Sequence, residues 1–189
     1  MSVSPGIKLF AAVTLAAAAT IGGLAWLRSQ TPPQTSVLQP SAPAAPFVLT
    51  DANGARFDSA RLKGKVALIF FGFTHCPDVC PTTLAAMTRV LEALGPRAAE
   101  VTAVFISVDP ERDTPEELKT FGSLFDPRIV LLTGSPDEIA AVVRDYHIYA
   151  AKVPIEGGGY TMDHTASVQL YDRDSRFRSA FDFHEDDAV

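Results

Sequence analysis

Three runs dominated by apolar side chains, residues 65–71, 101–108 and 129–133, set the framework of this chain. A strand with one wet face alternates apolar and polar residues, so near-continuous runs of this length read as strands buried on both faces of a sheet. After the first run, Leu84, Met87, Val90, Leu91 and Leu94 recur at helical spacing and Gly95-Pro96 ends the pattern, which predicts a helix over 81–94. Thr114-Pro115-Glu116-Glu117 joins an N-cap, a first-turn proline and a capping-box glutamate, predicting a helix to about residue 125. Ser135-Pro136-Asp137-Glu138 repeats the device and predicts a further helix to about residue 146. Residues 47–49 and Arg56-Phe57 flank Asn53-Gly54, a hairpin signal, and residues 167–171 and 177–183 flank Asp172-Arg173-Asp174-Ser175 as a second hairpin. Strand–helix alternation closed by a hairpin implies an α/β domain with a mixed sheet and helices on its faces.

The start of the chain follows different rules. Residues 9–27 carry no charge over about nineteen positions, close to the length that crosses a bilayer, and are bracketed by Lys8 and Arg28. We read 1–28 as a single transmembrane anchor, with a cleaved signal sequence as the alternative. Residues 29–46, uncharged and rich in Pro, Ser, Thr, Gln and Ala, read as a tether, leaving 47–189 as one folded domain. Lys8 and Arg28 nearly balance, so they orient the anchor weakly; a close cysteine pair favours a compartment that permits disulfides. The net charge is −6, and without Lys8 and Arg28 the remainder holds 14 basic against 22 acidic residues. A net of −8 repels nucleic acid and excludes that class of partner.

The chemistry concentrates in Phe73-Thr74-His75-Cys76-Pro77-Asp78-Val79-Cys80-Pro81, which holds both cysteines of the chain directly after a buried strand. A strand delivers them to a sheet edge and Pro81 suits a first helical turn, so both sulfurs should meet backbone N–H groups and a helix dipole. Such surroundings favour thiolate, the form that attacks disulfides and binds soft metals. Four-residue spacing permits either a short disulfide or convergence on one metal ion. Four histidines are available as a further donor: His75 beside the cysteines, His147 at a predicted helix end, His184 in an acidic tail, and His164, expected in a loop before the last hairpin. Asp78 and Asp163 are candidate carboxylates for orienting ligands. Asp109 and Arg112, after the second central strand, are turn residues that could help dock a partner.

Three ordered motifs carry a resemblance: residues 72–81, Ser107-Val108-Asp109-Pro110-Glu111-Arg112-Asp113-Thr114, and Asp163-His164-Thr165. From Phe47 onward the chain resembles the Sco (SenC) family. The resemblance implies a thioredoxin-like fold behind an N-terminal anchor, facing the periplasm or the intermembrane space. It implies assembly of the dinuclear copper centre of cytochrome c oxidase subunit II, or delivery to another copper protein, with Cys76, Cys80 and His164 as copper ligands. Such a donor set can hold both Cu(I) and Cu(II). Two other functions use the same cysteines: a thiol-disulfide oxidoreductase acting on that subunit, with Cys76 attacking and Cys80 resolving, and a thiol peroxidase. The chain ends near where a final helix over the sheet would begin in that family, so the apolar side of the last hairpin is expected to be partly exposed.

Overall fold

The computed structural model describes residues 43–182, which lie within a compact unit spanning Pro40–Val189. The anchor expected over 1–28, most of the tether and His184 fall outside the described residues. Among the described residues no helix is long and apolar enough to cross a membrane.

A seven-stranded mixed sheet forms the centre, built from β1 (Val48–Asp51), β2 (Arg56–Asp58), β3 (Val66–Gly72), β4 (Val101–Ser107), β5 (Val130–Thr133), β8 (Val168–Tyr171) and β9 (Phe177–Phe181) in the order β2-β1-β5-β4-β3-β8-β9. A separate two-stranded ribbon pairs β6 (Ala150–Pro154) with β7 (Tyr160–His164). The three predicted apolar runs become the parallel core β3, β4 and β5, and β3 pairs with β4 from Val66↔Val101 to Gly72↔Ser107. Both predicted hairpins form. In the first, Asp51 Oδ1 accepts the N–H groups of Asn53 and Ala55 while Gly54 takes φ 79°; in the second, Asp172 Oδ1 accepts those of Asp174 and Arg176. Short acidic side chains thereby supply the turn hydrogen bonds that the strands cannot.

Residues in register share a face, so Phe70 and Phe105 point to one side of the sheet and Phe71 and Ile106 to the other. Helices α1 (Val79–Leu94) and α2 (Pro115–Gly122) cover the first side, where Phe105 meets Phe121 at 5.9 Å between ring centroids. Helix α3 (Pro136–Asp145) and Tyr146 cover the second, with the Tyr146 ring 5.8 Å from that of Phe71. The α3 capping box is complete: Glu138 N–H donates to Ser135 Oγ, and Ser135 N–H donates to Glu138 Oε2. Thr114 caps α2 by accepting the Glu117 N–H, but that helix stops at Gly122 rather than residue 125. Phe121 and Phe125 pack edge to face there, at 5.2 Å, and the chain turns. Strand β9 is largely exposed, with Phe177 among the exposed large apolar residues.

Candidate metal centre

Strands β3 and β4 end together at Gly72 and Ser107, and the loops leaving them carry the two longer motifs. The carboxyl edge of parallel strands is where open α/β sheets place their sites. Helix α1 begins at Val79, two residues earlier than its apolar period suggests, so Cys80 lies inside its first turn and is completely buried. Cys76 stays in the preceding loop and is partly exposed; both cysteines are free.

The two sulfurs behave as one anion sharing a proton. Cys76 is held down to a pKa of about 3, first by the hydrogen bond from the Cys80 side chain and further by the N–H groups of Asp78 and Cys80, while burial opposes the shift. The Cys80 N–H donates to Cys76 Sγ at 3.4 Å. The Cys80 thiol is pushed far up, because it supplies the proton that stabilises Cys76 and because burial disfavours a second charge. Cys76 is therefore the thiolate and Cys80 the thiol. Alkylation by iodoacetamide should then modify Cys76 selectively, at a rate nearly flat from pH 5 to 8, whereas an ordinary thiol gains about tenfold per pH unit over this range. Preferential labelling of Cys80, or a tenfold rise per unit, would refute this polarity.

His164 is the last residue of β7, not a loop residue as expected. It reaches the cysteines because β8 runs antiparallel to β3, with Val168 opposite Phe70, so the segment entering β8 must start at the edge where β3 ends. Its ring stands edge-on to Phe73, 5.6 Å between centroids and at 90°, with Phe70 at 6.3 Å. Nδ1 lies 2.9 Å from the Thr165 carbonyl, which assigns the proton to Nδ1 and leaves the Nε2 lone pair facing Cys80 Sγ at 3.8 Å. A sulfur and an imidazole nitrogen bonded to one metal at about 2.3 and 2.0 Å lie roughly 3.5–3.8 Å apart. Among the described residues no three His, Cys, Asp or Glu side chains stand as a finished metal cage. What stands here is a thiolate–thiol pair with an imidazole nitrogen beside it, in which a metal would displace the Cys80 proton.

The other candidates fall elsewhere. His75 is half-exposed, with Nδ1 3.0 Å from Thr74 Oγ1 and 3.7 Å from Asp113. His147, at φ 56°, follows the C-terminus of α3 and is exposed. The Asp78 carboxylate is exposed and accepts only from Thr82 Oγ1, at 3.4 Å; this residue serves the site through its N–H instead. Asp163 is exposed and, by strand alternation, faces away from His164. Asp109 is fully buried and offers a partner nothing to dock on; it holds Arg112 instead, and Arg112 Nη1 donates to the Tyr160 carbonyl at 3.0 Å. Tyr160, Asp113, Thr74 and Phe73 also build the site without having been singled out from the sequence.

Known proteins share this arrangement of chain. The SCO1/SenC family model matches residues 36–189. A SCO2-like protein of Rickettsia prowazekii is 40% identical over 138 residues, covering 72% of this chain and 67% of the relative. The copper-bound structure of ScoI from Bradyrhizobium japonicum is 56% identical, with a TM-score of 0.71 over 75% of this chain and 90% of that one. BsSco, described as a member of the Sco family of cytochrome c oxidase assembly proteins, is 30% identical with a TM-score of 0.61, covering 76% of this chain and 86% of its own.

Proposed function

The chain belongs to the SCO1/SenC family, with its thioredoxin-like α/β fold, and on that premise we propose that it is a copper chaperone for cytochrome c oxidase assembly. Copper is its cargo, taken up by Cys76, Cys80 and His164 and passed to the dinuclear centre of oxidase subunit II. The observation that carries this reading is the 3.8 Å approach of the His164 Nε2 lone pair to Cys80 Sγ, beside a Cys76 already held as thiolate. The copper carried by the Bradyrhizobium relative supports it. Thiolates suit Cu(I) and imidazole extends the set to Cu(II), so one site serves either oxidation state. Three donors leave a coordination position through which a recipient thiolate can enter before the donor ligands leave. The part-exposed Cys76 is the sulfur that an incoming ligand meets first. Residues 1–28 anchor the chain and 29–46 hold the domain, 47–189, off a membrane, on its periplasmic side or in the intermembrane space.

One observation favours a second reading. A part-exposed low-pKa cysteine beside a buried protonated one is also how a dithiol reductant is built, with Cys76 attacking a disulfide and Cys80 resolving it. Both readings need the cysteines, but only the chaperone needs His164. Copper-loaded protein mixed with the reduced, copper-free domain of subunit II should transfer its metal, and the Cys76→Ser variant should transfer none. Absence of transfer by the wild type, together with rapid reduction of an oxidised subunit II that survives His164→Ala, would establish the reductant instead.

A further inference from the structure

We propose that the turn over residues 109–113 is the positioning element of the metal centre: Asp113 fixes the loop that carries Cys76, and Asp109, through Arg112 and Tyr160, fixes the strand that carries His164. This rests on the ligand assignment above and extends it to residues that touch no metal.

Both carboxylates are completely buried. A buried carboxylate persists only when its oxygens are satisfied, so the partners of these two show what each is there to hold. Asp113 Oδ1 accepts the Thr74 hydroxyl at 2.6 Å, and Oδ2 accepts the Thr74 N–H at 3.0 Å and the Ser107 hydroxyl at 2.6 Å. Thr74 lies two residues before Cys76 and Ser107 ends β4, so Asp113 ties the cysteine loop to the neighbouring strand.

Asp109 holds the other half. Its Oδ2 accepts Arg112 Nε and its Oδ1 accepts the Tyr160 hydroxyl at 2.8 Å. Arg112 grips the same tyrosine twice more, donating to its carbonyl at 3.0 Å and lying over its ring 4.0 Å from the centroid. Tyr160 opens β7, the strand that His164 closes. The grip matters because the ribbon lies outside the main sheet, and an isolated two-stranded hairpin is marginal by itself. Gly157, Gly158 and Gly159 at its tip all take positive φ, so the turn adds little stiffness. Near His164 the bond from Thr165 N–H to the Tyr149 carbonyl only joins the two strands of the ribbon to each other; at the far end the ties to the rest of the domain run to the 109–113 turn. Glu111, in the same turn, adds an exposed ion pair at 2.5 Å to Lys152 of β6.

The two halves should be separable by oxidation state. Two thiolates satisfy Cu(I), while Cu(II) needs the imidazole, so a loosened His164 strand penalises Cu(II) alone and a loosened cysteine loop penalises both. In the full chain, Tyr160→Phe removes one hydroxyl and should speed amide exchange over 160–164 by about tenfold in metal-free protein, leaving β3 unchanged. It should weaken Cu(II) binding by about 10- to 100-fold, the range for lost outer partners of a ligand, with Cu(I) affinity little changed. Thr74→Val should weaken both. Unaltered exchange, unaltered Cu(II) affinity, or equal losses of Cu(I) and Cu(II) in Tyr160→Phe would overturn the proposal. His164→Ala, titrated alongside, separates the two ideas. Full Cu(II) affinity in that variant would dispose of the ligand assignment, while exchange in metal-free Tyr160→Phe still decides whether the turn holds the strand.

Discussion

His164→Ala should lower Cu(II) affinity by more than about 100-fold while Cu(I) affinity falls by less than about tenfold. The imidazole is the sole nitrogen donor in the proposed set, and its Nε2 is already aimed at Cys80 by the hydrogen bond from Nδ1 to the Thr165 carbonyl. Removing it leaves two sulfurs, a pair that retains Cu(I) and cannot stabilise Cu(II). The fold should tolerate the change, because the ring is partly exposed and packs only edge-on to Phe70 and Phe73. Competition titrations in each oxidation state measure the split directly. Loss of both states in parallel would mean that the histidine supports the site's shape and not its metal.

Gly72→Ala should act on the other side of the site, through packing. A Cβ at this position would stand 2.8 Å from Cys80 Sγ and from the Phe105 ring, and 3.1 Å from the Phe70 ring. All three neighbours are fully buried, so none can swing into solvent, and overpacking of this kind costs about 1–3 kcal/mol. The methyl would also push Cys80 away from its place beside His164. We expect a lower denaturant midpoint with unchanged slope, and weaker binding of Cu(I) and Cu(II) together. A variant with wild-type stability and copper affinity would show that Gly72 is not the floor of the cysteine pocket. The glycine is there for close approach, because β3 runs directly beneath the first turn of α1.

Much of this was legible in the sequence because local chemistry and global fold agree. The buried parallel strands announce themselves by uninterrupted apolar runs, and α3 by a capping box that forms as written. The cysteine loop was legible too, since Pro81 and the preceding strand call for a helix start close by, although α1 begins at Val79, two residues before that proline. The β6–β7 ribbon was not. Its strands read Ala-Ala-Lys-Val-Pro and Tyr-Thr-Met-Asp-His, with no uninterrupted run of large apolar residues, and Pro154 argues against a strand unless it sits at an edge. Gly157-Gly158-Gly159 was the signal available, a turn between short flanks. Nor could the sequence tell that Asp109 and Asp113 point inward: Asp-Pro and Asp-Thr-Pro are ordinary turn chemistry, and only the meeting of three distant segments makes them anchors.

The most direct test of the account is X-ray absorption at the copper edge on the Cu(II)-loaded chain, compared with the His164→Ala variant. The account predicts two sulfur neighbours and one imidazole in the wild type, with the imidazole signature lost in the variant. A shell lacking sulfur, or an imidazole signature that survives the substitution, would contradict it.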